Sequence, residues 1–163
     1  MIGSSWVKSL AALIVVLLTI WILLYALNDA EESAEALVVE LTVRNMQIGL
    51  DIALAEEIMA GRRPRSSMWN GMNPVGQLAS VPSGYVGECP VNDSADPGAW
   101  CFVTKLGELR YYPRNGRHLQ ISGESGHLRS LGWRVRAGKA GDDPRLEAVA
   151  PYRWRVEKTY IKP

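Results

Sequence analysis

Ser9 to Leu27 reads SLAALIVVLLTIWILLYAL, nineteen residues without a charge, of which only Ser9 and Thr19 are frankly polar. At a rise of ~1.5 Å per residue the run makes a helix of roughly 28 Å, the thickness of a bilayer's hydrocarbon core. Trp6 precedes it, and Trp21 and Tyr25 lie towards its far end, where amphipathic rings are at home among headgroups. Core helices of soluble proteins rarely run so long uninterrupted, and secretory signals have apolar cores of only ~7–15 residues followed by small residues. Here Asn28-Asp29-Ala30-Glu31-Glu32 follows, so an uncleaved single-span anchor is expected.

Charge orients the anchor. Lys8 lies before the run, while Asp29, Glu31, Glu32 and Glu35 follow it. The positive-inside tendency then leaves a short N-terminal stub in the cytoplasm and exports the remainder. This divides the chain into a stub and span (residues 1–27), an exported helix (28–61) and a head (62–163). The exported part is long enough for one domain with a modest core.

The helix is expected to continue past the membrane, because between Asp29 and Ala60 there is no proline and one glycine, Gly49. Gly61 and Pro64 supply its end, giving one helix of roughly 57 residues and about 85 Å. Two apolar stripes run along its outer half. Val38, Leu41, Ile48, Ile52, Ala55 and Met59 form one, broken by Asn45; Val39, Val43, Met46, Leu50 and Leu54 form the other. Two stripes imply cover on two sides. The second is expected to meet a partner protein and the first its own head; burial of both within one domain fits the pattern equally.

Residues 62–86 form a long irregular connection with three prolines, in which Leu78 could sit in a short helical turn. Ala99–Thr104 and Glu108–Pro113 flank Lys105-Leu106-Gly107 as a hairpin, and Leu128–Ala137 and Leu146–Val156 supply two further strands. Alternation of Trp133 and Val135 with Arg134 and Arg136, and of Tyr152, Trp154 and Val156 with Arg153 and Arg155, marks an antiparallel sheet with one wet face. The expected class is α+β, a long N-terminal helix packed by a four-stranded antiparallel sheet.

Eight acids stand against Arg44 alone between Asp29 and Glu57, whereas sixteen bases face nine acids from Gly61 onwards. An acidic stalk and a basic head suit each other, within one chain or between chains. Arg134, Arg136, Arg153 and Arg155 would share a face if their strands were neighbours, and like charges there call for an anion. The chain's own acidic helix or another subunit's carboxylates are the leading candidates; nucleic acid is a weaker one. Cys89 and Cys101 form an even pair beyond the anchor, which in an oxidising compartment predicts a disulfide.

The layout resembles the type IV pilins and pseudopilins, whose N-terminal membrane helix runs straight into the spine of a sheet-wrapped head. Gly71-Met72-Asn73-Pro74-Val75 and Pro82-Ser83-Gly84-Tyr85-Val86-Gly87-Glu88 are similar to the N-P…P-P-x-Y-x-G-E stretch of pilin-like accessory proteins. Those of mannose-sensitive haemagglutinin pilus biogenesis come closest, also in the hairpin Trp100–Tyr112 and in Trp133-Arg134-Val135. The resemblance implies a bacterial inner-membrane protein with a periplasmic head, and pilus or type II secretion-like assembly subunits, lipid and further copies of the chain as partners. One departure matters. Ser4 and Lys8 stand where prepilins carry Phe or Met and, at the fifth mature position, Glu. That favours an accessory role over a major filament subunit.

Catalytic motifs are missing from the sequence. His118 and His127 lie in Gly- and Ser-rich segments, Asp142-Asp143 reads as a solvated turn, and no phosphate loop or dinucleotide fingerprint occurs. A non-enzyme without metal or cofactor is expected: an accessory assembly component or, in another class, a membrane-anchored binding or sensor module.

Overall fold

The computed structural model describes residues 3–62, 65–90, 95–122, 130–137 and 143–154. Helix α1 runs without interruption over Gly3–Met59, 57 residues, and its first half is long and apolar enough to cross a membrane. None of that apolar segment is buried by the head. Thr19 turns its hydroxyl back onto the Val15 and Val16 carbonyls at 2.8 and 2.9 Å, so the apolar segment presents no unmet hydroxyl donor there, as a span requires. The helix stops where Gly61 takes φ 70°. Gly61 N–H then donates to Ile58 O and Arg62 N–H to Glu57 O, at 2.9 and 3.0 Å, the paired bonds of a Schellman end.

A short helix α2 (Ser66–Trp69) and a 3-10 turn (Pro74–Gln77) follow. Asn73 caps the turn by accepting from Val75 N–H at 3.1 Å, and the turn ends one residue short of Leu78. It crosses α1 at Gly49, where an added Cβ would lie 2.7 Å from the Gln77 carbonyl oxygen. Only glycine permits that approach. Gly49→Ala should therefore lower the unfolding midpoint, since overpacking of about 1–3 kcal/mol outweighs the ~1 kcal/mol of helix propensity gained. A circular-dichroism melt checks it.

Among the described residues the head contains seven strands: β1 (Tyr85–Glu88), β2 (Trp100–Val103), β3 (Glu108–Tyr111), β4 (Leu119–Ile121), β5 (Leu131–Arg136), β6 (Arg145–Ala148) and β7 (Tyr152–Trp154). Five form a mixed sheet in the order β1-β2-β3-β5-β6, and β4 pairs with β7 in a separate ribbon. The fold is α+β, but the sheet is not the four-stranded antiparallel one expected. β1 joins it parallel to β2, and the expected strand 146–156 is cut at Pro151 into β6 of the large sheet and β7 of the small one. Proline cannot donate to a ladder, so the chain leaves one sheet there and enters the other. The expected ends at Leu128 and Val156 lie outside the described residues. The expected hairpin is present as β2 and β3, with Trp100 opposite Tyr111 and Val103 opposite Glu108.

The core lies between α1 and one face of the large sheet. Trp100, Phe102, Leu109, Tyr111, Leu131 and Trp133 point at Val39 and Met46, while Val135 and Trp69 meet Leu50 and Leu54. Trp100 packs between Tyr111 and Trp133 with ring centroids 4.6 and 5.5 Å away, and Tyr152 meets Trp133 edge-on at 5.8 Å. The Gln47 side chain fastens the start of β6 to the helix: its amide donates to Pro144 O at 2.9 Å and its oxygen accepts from Leu146 N–H at 2.8 Å. Pro144 is accordingly buried, although the segment leading to it reads as an exposed loop.

Candidate functional site

The stripe expected to meet a partner is occupied by the chain's own head. Met46 and Leu50 are wholly buried, Val39 and Leu54 nearly so, and Val43 packs against the same core. A side chain without exposed surface offers nothing to a second protein, so it is this stripe, and not the first, that takes the head. Val38, Leu41, Ile48 and Ile52 are about half exposed on the opposite side.

The arginine row also dissolves. β5 and β7 belong to different sheets, so Arg134 and Arg136 do not face Arg153, and Arg155 lies outside the described residues. On the outer face of the large sheet Arg134 Nη2 donates to Glu108 at 2.6 Å, with Arg110 on the other carboxylate oxygen at 3.4 Å. Glu108 is itself buried, so one carboxylate is shared between two guanidiniums. Arg136 reaches Glu147 at 3.5 Å, an exposed pair that contributes little. The anions that meet these arginines come from the sheet, not from the helix.

Cys89 and Cys101 form the expected disulfide, with Cα atoms 4.8 Å apart. It ties the end of β1 to β2 beside the Cys89 N–H to Phe102 O bond of 3.0 Å.

The acidic segment of α1 does meet the head, through residues that motif reasoning overlooks. Glu32 is fully buried. One of its oxygens accepts from His118 N–H at 2.8 Å and Trp154 Nε1–H at 3.1 Å, the other from His118 Nδ1 at 2.8 Å. A carboxylate can only accept, so the Nδ1 proton faces it. One turn on, Glu35 accepts from the Tyr111 hydroxyl and Arg114 N–H, both at 2.6 Å, and from Asn115 N–H at 3.1 Å. Asn28 accepts from Asn115 Nδ2 at 3.1 Å, and Arg117 lies 3.9 Å from Asp29.

Two turns of helix thus grip the segment Arg114–His118, beginning one residue beyond the apolar run. Burial works against ionising Glu32, but the His118 and Trp154 donors outweigh it and hold the carboxyl below the usual range. Burial, with the Glu35 carboxylate, pushes the Tyr111 hydroxyl up. Such a clasp fixes the head against the helix at the level where the apolar run ends. The opposite charges of stalk and head are its trace in the sequence, yet the donors are mainly backbone N–H groups and rings instead of lysine or arginine. Among the described residues no cluster of His, Cys, Asp and Glu is arranged to hold a metal ion. No family model matches the chain, and neither a curated protein nor a solved structure does.

Proposed function

We propose that this protein is a membrane-anchored, non-enzymatic accessory subunit of a type IV pilus or type II secretion-like assembly. Its span lies in the bacterial inner membrane, its N-terminus in the cytoplasm and its head in the periplasm. The observation that carries the reading is the uninterrupted helix α1, apolar in its first half and the spine of an α+β head in its second. A spine of this kind passes force and position from membrane to head, which a flexible tether cannot do. The disulfide fits an oxidising compartment, and the stretch Asn73-Pro74 to Glu88 resembles pilin-like accessory proteins in sequence. Lys8 where the prepilin pattern has Glu sets the accessory role apart from that of a major subunit.

An export-dependent reporter fused after Pro163 should be active; a silent reporter on a stably expressed fusion contradicts the orientation. Deleting the gene from its native cell should reduce assembled filaments or secretion output, with rescue by the full chain but not by residues 28–163 alone. Full output in the deletion strain contradicts the accessory role.

A further inference from the structure

Outside the membrane the back of α1 carries an apolar face that no described residue of the head covers. Val38, Leu41, Ile48 and Ile52 are 59, 47, 49 and 54 % exposed, and Asn45 and Ala55 are exposed between and beyond them. Their spacing alternates three and four and closes on Met59, which makes three heptads with Val38, Asn45, Ile52 and Met59 at a and Leu41, Ile48 and Ala55 at d. At 3.6 residues per turn this seam points about half a turn from the buried stripe Val39–Leu54. The segment Gln77–Pro82 forms one bank of a groove of about 370 Å³ whose floor is Asn45, Ile48 and Ile52.

We propose that α1 pairs with α1 of a second copy as a parallel, in-register two-stranded coiled coil over Val38–Met59, with Asn45 meeting Asn45. The asparagine at one a position, between β-branched Val38 and Ile52 at two others, is the device that fixes register and oligomer state, while Leu41, Ile48 and Ala55 at d do not by themselves select two strands. The bilayer supplies the orientation, since two copies anchored in the same sense can only lie parallel. Towards the span, Ala26, Ala30 and Ala34 are exposed at four-residue spacing, small enough for two helices to converge as they enter the lipid. Pairing the seams buries on the order of 1,000 Å², where specific interfaces begin. Flanking charges add no attraction: Asp51 faces Glu56 of the second copy, and the position opposite Arg44 is Gly49, which the chain's own Gln77 covers. The association is therefore apolar and is not weakened by salt.

This inference rests on the membrane-anchoring part of the proposed function and not on the pilus assignment. In native membranes, full-length Asn45→Cys and Ile52→Cys variants should each form a disulfide-linked dimer on mild oxidation. Glu40→Cys, on another side of the helix, should give at least tenfold less. Equal yields at all three positions overturn the proposal, as does crosslinking only when the Asn45→Cys and Ile52→Cys chains are co-expressed, the mark of a staggered contact. So does absence of dimer from inserted chains whose Cys89–Cys101 bridge is intact. The unaltered chain in mild detergent should sediment as a protein of twice 18.0 kDa, and Ile48→Asp should return it to 18.0 kDa without changing the head's unfolding. A monomeric unaltered chain overturns the pairing while leaving an active export reporter, and so the anchoring, untouched.

Discussion

Glu32→Ala should loosen the head from its helix and cost about 1–3 kcal/mol, because three donors on the half-buried His118 and Trp154 lose their acceptor. Glu32→Gln should cost less, since the amide oxygen still accepts while its N–H₂ group confronts a donor. The clasp also sets the acid limit of stability. A carboxyl held low when folded stabilises above its ordinary value of 4.5, and that stability is lost as pH falls through the folded value. Below pH 4.5 the unaltered chain should therefore weaken progressively, and Glu32→Gln should lack that component. Tyr111 acts at the other limit. A hydroxyl raised on folding stabilises fully below its ordinary value of 10.0, and the contribution falls away as pH rises beyond it. Thermal melts between pH 3 and 11 check both signs, and amide exchange should show Arg114–His118 released first. Acid stability unchanged by Glu32→Gln would contradict the clasp.

Replacing both Cys89 and Cys101 by alanine should cost about 3 kcal/mol on chain-entropy grounds, because the bridge closes a short loop in a small head. For a head of this size that lowers the unfolding midpoint by roughly 10–20 °C. The loss comes mainly from the unfolded state, so the variant's head should keep its β2–β3 hairpin below the midpoint. The loop's consequence in the sheet is specific. β1 lies parallel to β2 with only Cys89–Ala99 between them, a short return for a parallel pair. Without the bridge β1 should exchange its amide protons before β3 and β5 do. Two labelled thiols per chain in the unreduced, denatured protein would rule the bridge out.

The helix was legible in full because nothing between Gly3 and Met59 contradicts it: an apolar run, then a three-four repeat, then Gly61. Which stripe faces the head was not legible from hydrophobicity, since the two are alike. Phase held the answer: Glu32 and Glu35 fall on the same side as Val39, Val43, Met46 and Leu50. Acids continuing an apolar stripe read as a solvated end, whereas here the head supplies donors for them. β1 was hidden by its length and by Gly84 and Gly87, both at positive φ. β4, three residues long, carries no period of its own. The arginine row failed for a related reason. Alternation tells which side of a strand a residue takes but not which strand lies alongside, and Pro151 sends Arg153 to a different sheet.

As proposed above, this spine serves a pilus-type or secretion-type assembly from the membrane. Chemical crosslinking of native membranes followed by mass spectrometry tests it most directly. Crosslinks are expected from the second half of α1 and from the head to single-span pilin-like subunits or assembly-platform proteins. Crosslinks confined to a signalling protein, with no assembly component among them, would contradict it.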